Sequence, residues 1–377
     1  MFGRRRDRRP IYLVSAAGLP NYGDEILTRV WLDWLAVHRP DAPVWLDCPE
    51  PGRANHLFRD THPLLRTTNT LWHLAFGSQG MDLDEGAARA ARLVTDYGSP
   101  RFDLGLEELR GMRSVHLLGG GYLNSVWENH LFILPALVSL KEHFDVPLYA
   151  TGQGVLPLSD HARELVTGWV RHFELFEARD AASADAVGAV SGIDDAFLAV
   201  ANSRTLYADA ATPDVMLLLQ GDFVEPEVRE SLIDAAVRFV DSHGEHSTVG
   251  LVEGIPPDDS WALPLLRARG IDVDFYSFGR LWQEGLPARE GQSWLSTRFH
   301  FHLLAAAAGA RGAVIELDPA YYGVKHGSLR DLGTGWAHLA SLDPGADIVA
   351  TVNDQFSDRV ADLGARKAAV AKRIYQS

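Results

Sequence analysis

Short apolar runs alternate along this chain with stretches whose apolar positions recur every three or four residues. Ile11–Ala16, Val44–Asp47, Ser114–Leu118, Val146–Ala150 and Leu175–Glu177 have the pattern of buried strands. Between them, Glu25–His38, Glu128–His143, Asp160–His172 and Asp180–Val187 carry helical periodicity. Strands that are apolar throughout, alternating with helices, predict a parallel, doubly wound sheet. Residues 50–110 fit this alternation least. They hold Pro51, Gly52, several Asn and Thr residues and two acidic clusters, and predict a helical insertion with long loops.

The alternation pauses at Asp194–Pro213 and then resumes. Strands are expected at Val215–Leu219, Thr248–Val252, Val273–Tyr276, Ser293–Ser296 and Ala313–Leu317, with helices at Pro226–Asp241, Ser260–Ala268 and Phe299–Ala308. Residues 354–374 predict a terminal amphipathic helix. Two successive α/β series of similar size predict two Rossmann-like domains, over 11–200 and 201–350, facing each other across a cleft. A disordered basic N-terminus is expected over 1–10, and a C-terminal helix within 351–377 that packs back on the first domain. At 377 residues the chain exceeds one ordinary core, which agrees with two domains.

Composition narrows the function. Apolar residues make up 46% and charged residues 23%, as in a soluble globular protein. No apolar run approaches the ~20 residues that cross a bilayer. The formal net charge of −15 disfavours nucleic acid, whose binders display basic patches, but leaves room for a small anion held by a few local cations. Cys48 is the only cysteine, so an intramolecular disulfide and a cysteine metal cluster are both excluded. A reducing cytoplasm is the expectation.

Candidate chemistry lies where strands stop. Asn21-Tyr22-Gly23-Asp24-Glu25 ends the first strand–helix turn. Asn21 or Asp24 can cap the helix and Glu25 suits its positive end. No Gly-Lys-Ser/Thr follows and no Gly-x-Gly-x-x-Gly is present, so neither a Walker loop nor a dinucleotide fingerprint is read here. Two acids at a helix start repel phosphate, so Asp24 suits hydroxyls or a basic side chain. Gly119-Gly120-Gly121 follows Val115-His116-Leu117-Leu118. Its backbone N–H groups either line an anion nest or allow close packing. Gly152-Gln153-Gly154 has the same logic with a side-chain amide added. Arg179-Asp180 is either a capping pair at the surface or a carboxylate and phosphate fork on a crevice rim.

Later, Thr297-Arg298-Phe299-His300 follows Trp294-Leu295-Ser296. A cation in a first helical turn opposes the helix dipole and so has another reason to be there. His302 faces elsewhere and is read as a satisfied structural histidine. No i, i+4 histidine pair and no His-Glu-x-x-His occurs, so no metal is expected. Lys325-His326 follows the last strand of the series. Lys325 is either a solvated lysine or a second positive charge for the same ligand.

In this order the motifs Asn21-Tyr22-Gly23-Asp24-Glu25, Leu118-Gly119-Gly120-Gly121, Thr151-Gly152-Gln153-Gly154, Arg179-Asp180, Arg298-Phe299-His300 and Lys325 resemble the polysaccharide pyruvyl transferases, from about residue 11 to about 335. The resemblance implies a GT-B-like fold and transfer of the enolpyruvyl unit of phosphoenolpyruvate onto two hydroxyls of a sugar, leaving a cyclic ketal and phosphate, with no cofactor. It implies that Arg298 and His300 bind the donor and catalyse, that Arg179 binds the donor, and that Lys325 adds positive charge. Gly119, Gly120, Gly121, Gly152, Gln153, Asn21, Asp24 and His326 complete the candidate substrate contacts, His326 being the second candidate acid. The middle residue of Arg-x-His is Phe299, where leucine is common, and residues 50–110 have no placed match; they are the candidate acceptor region. The implied partners are phosphoenolpyruvate and a sugar or glycan acceptor, lipid-linked or nucleotide-linked. The other readings are a GT-B glycosyltransferase using a nucleotide-sugar and a non-catalytic glycan- or metabolite-binding member of the family.

Overall fold

The structure is a computed structural model that describes residues 9–96, 103–200, 206–222, 224–317, 322–343 and 345–375. Most of the expected basic N-terminus and the last two residues of the chain lie outside the described residues.

Thirteen strands are described. They are β1 (Ile11–Val14), β2 (Val44–Asp47), β3 (Leu65–Thr68), β4 (Ser114–Leu117), β5 (Leu148–Gln153), β6 (Leu175–Ala178), β7 (Val190–Ser191), β8 (Val215–Leu218), β9 (Val249–Val252), β10 (Val273–Tyr276), β11 (Ser293–Ser296), β12 (Arg311–Ile315) and β13 (Ala337–Leu339). They form two sheets, ordered β3-β2-β1-β4-β5-β6-β7 and β10-β9-β8-β11-β12-β13. Every pairing between these strands is parallel. Each order reverses once, between β1 and β4 and between β8 and β11, and such a switch point is where open α/β sheets place ligands.

The central strands β1, β4, β8, β9 and β11 are buried at every residue. Helices cover both faces, so each apolar residue has a neighbour above or below the sheet. One core gathers Val14, Val115, Leu117, Leu134, Leu137 and Leu148. The other gathers Leu217, Phe239, Leu251, Leu295, Ala313 and Ile315.

Two compact units result. One gathers Asp24–Asp195 with the chain up to Leu19; the other gathers Pro20–Gly23 with the chain from Ala196. The boundary expected at residue 200 thus falls between Asp195 and Ala196. The helix Tyr22–His38 starts in the second unit and continues in the first. The terminal helix Gln355–Tyr375, expected against the first domain, belongs to the second unit and packs on the helices Ala196–Val200 and Phe299–Ala307. Residues 50–110 hold the expected helices, Pro51–Phe58, Thr70–Phe76, Leu83–Thr95 and Asp103–Arg110, and also β3. The region is therefore part of the first sheet and more than an insertion; residues 97–102 are outside the described set.

Candidate functional site

In the second unit, the strands flanking the switch point end in charge. After β11, Thr297 is anchored to the end of β8: its N–H donates to the Leu218 carbonyl (3.1 Å), while its hydroxyl accepts from the Gln220 N–H (2.9 Å). Arg298 takes an extended conformation as the N-cap of the helix Phe299–Ala307. Its Nε donates to Asp259 Oδ2 (2.7 Å) and its Nη2 to Asp259 Oδ1 (2.6 Å) and Asp222 Oδ1 (2.6 Å).

The two carboxylates differ. Asp259 is fully buried and also accepts the N–H groups of Gly221, Gly254 and Ile255 (3.2, 3.1 and 2.9 Å). Five donors fix it, and it fixes the guanidinium plane. Asp222, with a side chain 23% exposed against 12% for Arg298, lies at the rim.

The Asn-Tyr-Gly segment docks here. Asn21 caps its helix, Oδ1 accepting from the Gly23 N–H (3.2 Å). The Tyr22 N–H donates to the Gly254 carbonyl (2.9 Å), and the Tyr22 ring lies 5.2 Å from that of Phe301. The half-buried His300 sets its ring against Gly23: a Cβ there would come within 2.1 Å of His300 Nδ1. The Asn-Tyr-Gly segment and the Arg-Phe-His motif thus meet within the second unit.

Lys325 is half-buried on the helix Tyr322–Leu332, which packs against the helix that Phe299 opens. His326 is fully buried. Its Nε2 faces the Thr297 carbonyl at 3.4 Å, its Nδ1 faces His302 Nδ1 at 3.2 Å, and His302 Nε2 is 2.9 Å from the Thr334 hydroxyl. A carbonyl only accepts, so the His326 nitrogen that faces Thr297 carries a hydrogen. Burial, reinforced by His326 and His338, pushes His302 well below the usual histidine range. The two stacked histidines support the Thr297–Arg298 turn from inside, as expected for His302.

In the first unit the glycine-rich strand ends close around a carboxylate. Asp195 is fully buried, and its Oδ2 accepts from Trp31 Nε1 (2.7 Å), the Gly119 N–H (2.9 Å) and the Thr151 hydroxyl (2.8 Å). A Cβ at Gly119 or Gly152 would come within 2.9 or 2.8 Å of that carboxylate, and Gly152 has φ +59° at a register shift in β5. The Gly120 N–H points at the Gly152 carbonyl (3.3 Å), and the Gly121 carbonyl accepts from Asn124. Gln153 is buried, its amide N–H groups turned to the carbonyls of Leu117, Leu118 and Thr151. The packing alternative for these glycines therefore has a named partner, Asp195. Asp24 lies near Gly120, where a Cβ would sit 3.4 Å from its Oδ1.

Arg179 is buried, not exposed on a rim. Its guanidinium pairs with Asp194 (3.4 Å) and Asp180 (4.0 Å), and a Cβ on Gly154 would meet it at 2.6 Å. Asp180 also caps the helix Ala181–Val187 through the Ser183 N–H (2.7 Å). Glu25, expected to suit the positive end of the helix, is fully buried with Oε1 on the Gly18 N–H (2.8 Å), and burial pushes its carboxyl up to about 8.

Sequence reasoning missed Asp195, Asp222 and Asp259. Asp222 had a findable signal, since Gln220-Gly221-Asp222 ends the strand next to β11. Asp259 reaches Arg298 only through the topology.

Two parallel-sheet α/β domains, each with a Rossmann-type strand order and with charge at the second switch point, define a GT-B-like protein. The fold is similar to that of UDP-GlcNAc 2-epimerase from Neisseria meningitidis bound to UDP-GlcNAc (TM-score 0.54, 10% identity, 98% of this chain and 100% of that one). It is also similar to a glycosyltransferase from Rickettsia africae (TM-score 0.50, 10% identity, 97% and 93%). No curated protein matches at the sequence level. The profile of the polysaccharide pyruvyl transferase family matches residues 21–319, and the chain belongs to that family. Among the described residues no helix is long and apolar enough to cross a membrane, and no group of His, Cys, Asp and Glu side chains is arranged to hold a metal ion.

Proposed function

We propose that the protein is a pyruvyl transferase that uses phosphoenolpyruvate to build a pyruvate ketal on a pair of sugar hydroxyls in glycan biosynthesis. The observation that carries this reading is the seating of His300, two residues after Arg298, against Gly23 at the second switch point of a chain in the polysaccharide pyruvyl transferase family. His300 delivers a proton to C3 of the enol, which becomes a methyl group, and positive charge develops at C2. One sugar hydroxyl adds to C2 and gives up its proton. Phosphate then departs with the C2–O bond, and the second hydroxyl closes the ketal, releasing its proton. Such proton delivery is worth ~10²–10⁴-fold.

Arg298 orients the donor. Asp259 holds one edge of the guanidinium in place, whereas Asp222 is the partner an anionic donor group replaces. Arginine suits planar carboxylate and phosphate groups through paired hydrogen bonds. Arg179 and Lys325 are the further cations assigned to the donor, with Asn21, Asp24 and the strand-end residues 119–121 and 152–153 as candidate acceptor contacts. The location proposed with this chemistry is the cytoplasm, where phosphoenolpyruvate is available.

The test is phosphate release from phosphoenolpyruvate across a panel of lipid-linked and nucleotide-linked glycans, beside calorimetric donor binding. Arg298→Ala is expected to weaken phosphoenolpyruvate binding by about tenfold or more, the loss of a charged hydrogen bond of about 1.5–3 kcal/mol. Unchanged affinity in the folded variant removes Arg298 from the donor site. A second reading, transfer from a nucleotide-sugar, is favoured by the UDP-GlcNAc in the Neisseria relative of this fold. Thermal stabilisation by UDP-GlcNAc and none by phosphoenolpyruvate selects it.

A further inference from the structure

We infer that Gly23 is a positioning residue for His300: the missing side chain at this helix position is what seats the imidazole. Resting on His300 as the proposed acid, this adds a residue that touches no reacting atom.

Gly23 has no backbone reason to be glycine. It is the second residue of the helix Tyr22–His38, and its φ is outside the left-handed region in which thirteen other glycines of the described chain lie. At such a position alanine is the better helix former. The reason is on the other side of the α-carbon. A Cβ would stand 2.1 Å from His300 Nδ1, 2.8 Å from Cγ and 3.0 Å from Cε1, all inside contact distance.

The backbone cannot retreat. Asn21 Oδ1 holds the Gly23 N–H, the Gly254 carbonyl holds the Tyr22 N–H, and the Tyr22 ring rests on Phe301. Gly254 in turn gives its own N–H to Asp259, which carries Arg298. The element that bears Gly23 is thus tied to the loop that orients the arginine. Adding a methyl group displaces the ring rather than the helix, and the ring is otherwise bounded by the edge of Phe299, 5.1 Å away at 83°.

The experiment is a double-variant cycle on the full chain: wild type, Gly23→Ala, His300→Ala and the pair. Gly23→Ala is expected to lower the melting temperature of wild type and to raise that of His300→Ala, where no ring is left to meet and helix propensity alone remains. The His300 imidazole signal in a nitrogen-15 spectrum, assigned by its loss in His300→Ala, is expected to move in Gly23→Ala while the His302 and His326 signals stay. Turnover with phosphoenolpyruvate is expected to fall roughly ten- to hundredfold, the effect of ångström-scale misplacement, with phosphoenolpyruvate affinity unchanged.

The same sign of melting shift in both backgrounds with an unmoved His300 signal overturns the inference. If Gly23→Ala does not fold, the pair is expected to fold; failure of both assigns Gly23 to the backbone and also overturns it. Full turnover in His300→Ala sinks the acid assignment instead, while the melting cycle and the spectrum still decide the role of Gly23.

Discussion

Both sheets bring a fully buried aspartate to their strand ends, and the two are satisfied in opposite ways. Asp195 in the first unit takes an indole N–H, a backbone amide and a hydroxyl. Asp259 in the second takes three amides and the edge of a guanidinium. The first arrangement consumes its charge inside the protein and requires glycine on either side of the carboxylate. The second turns its charge into orientation, aiming an arginine whose side chain remains 12% exposed. Glycine at a strand end is therefore ambiguous. It makes room for a ligand or for an internal carboxylate, and only the identity of what lies above the α-carbon decides.

The contrast breaks most sharply at His300. If the second unit holds the chemistry, His300→Asn depresses turnover ~10²–10⁴-fold while phosphoenolpyruvate affinity changes far less, because the arginine stays. Single-turnover kinetics and calorimetry on the same protein measure both. A loss of binding in proportion to rate makes His300 a ligand and leaves the acid unassigned.

Arg179 tests the other half. Its side chain is 2% exposed and its partner Asp194 1%. Removing one member of a buried pair costs about 3–5 kcal/mol, because the other charge is stranded. Arg179→Met is thus expected to lower the chemical-denaturation midpoint strongly. Unchanged stability in the variant removes the structural role of the pair, and unchanged phosphoenolpyruvate affinity in a folded variant removes Arg179 from the donor site proposed above.

A smaller effect separates the units by pH. Glu25 has an ordinary carboxyl value of 4.5 that burial raises to about 8. Its folded value lies above its unfolded one, so the folded state keeps a proton that the unfolded state gives up as pH rises from about 4.5 to about 8. Stability is lost across that window, and the loss is complete above it. Glu25→Gln keeps an oxygen for the Gly18 N–H and removes the titration. Its melting temperature relative to wild type is expected to rise between pH 5 and pH 8.5. A pH-independent difference removes Glu25 as the titrating group.

How much of this was legible in the sequence follows burial. β2 and β11 match the expected residues throughout, because an apolar run marks a strand buried deep in a sheet; β10 also matches, although it lies at a sheet edge with Asp274 exposed. β3, β7 and β13 were not expected. All three lie at sheet edges and are only half-buried or exposed, so Leu65-Arg66-Thr67-Thr68 and Val190-Ser191 carry no such run. At the site, Arg298 and His300 were legible because a cation and an imidazole in a first helical turn are anomalous. Asp259 was not, since an aspartate in a loop is ordinary until the sheet order carries it to the end of β11. Arg179 was legible as a residue but not as a buried one, because nothing local reveals that Asp194 closes over it.

Asn21 gives the finest test, since it is both a candidate contact and a cap. Its Oδ1 accepts the Gly23 N–H at 3.2 Å, satisfying one donor of the first turn. Loss of such a cap costs about 0.5–2 kcal/mol, and serine serves the position nearly as well as asparagine. If Asn21 acts as a cap, Asn21→Ala lowers the melting temperature by a few degrees and Asn21→Ser restores it. Turnover follows the same order, since the Gly23 backbone beneath His300 loosens only with the alanine. If Asn21 instead touches the acceptor, serine restores the melting temperature but not turnover at limiting acceptor. That outcome extends the second unit's chemistry into the Asn-Tyr-Gly segment, beyond the strand ends that hold Arg298 and Asp222.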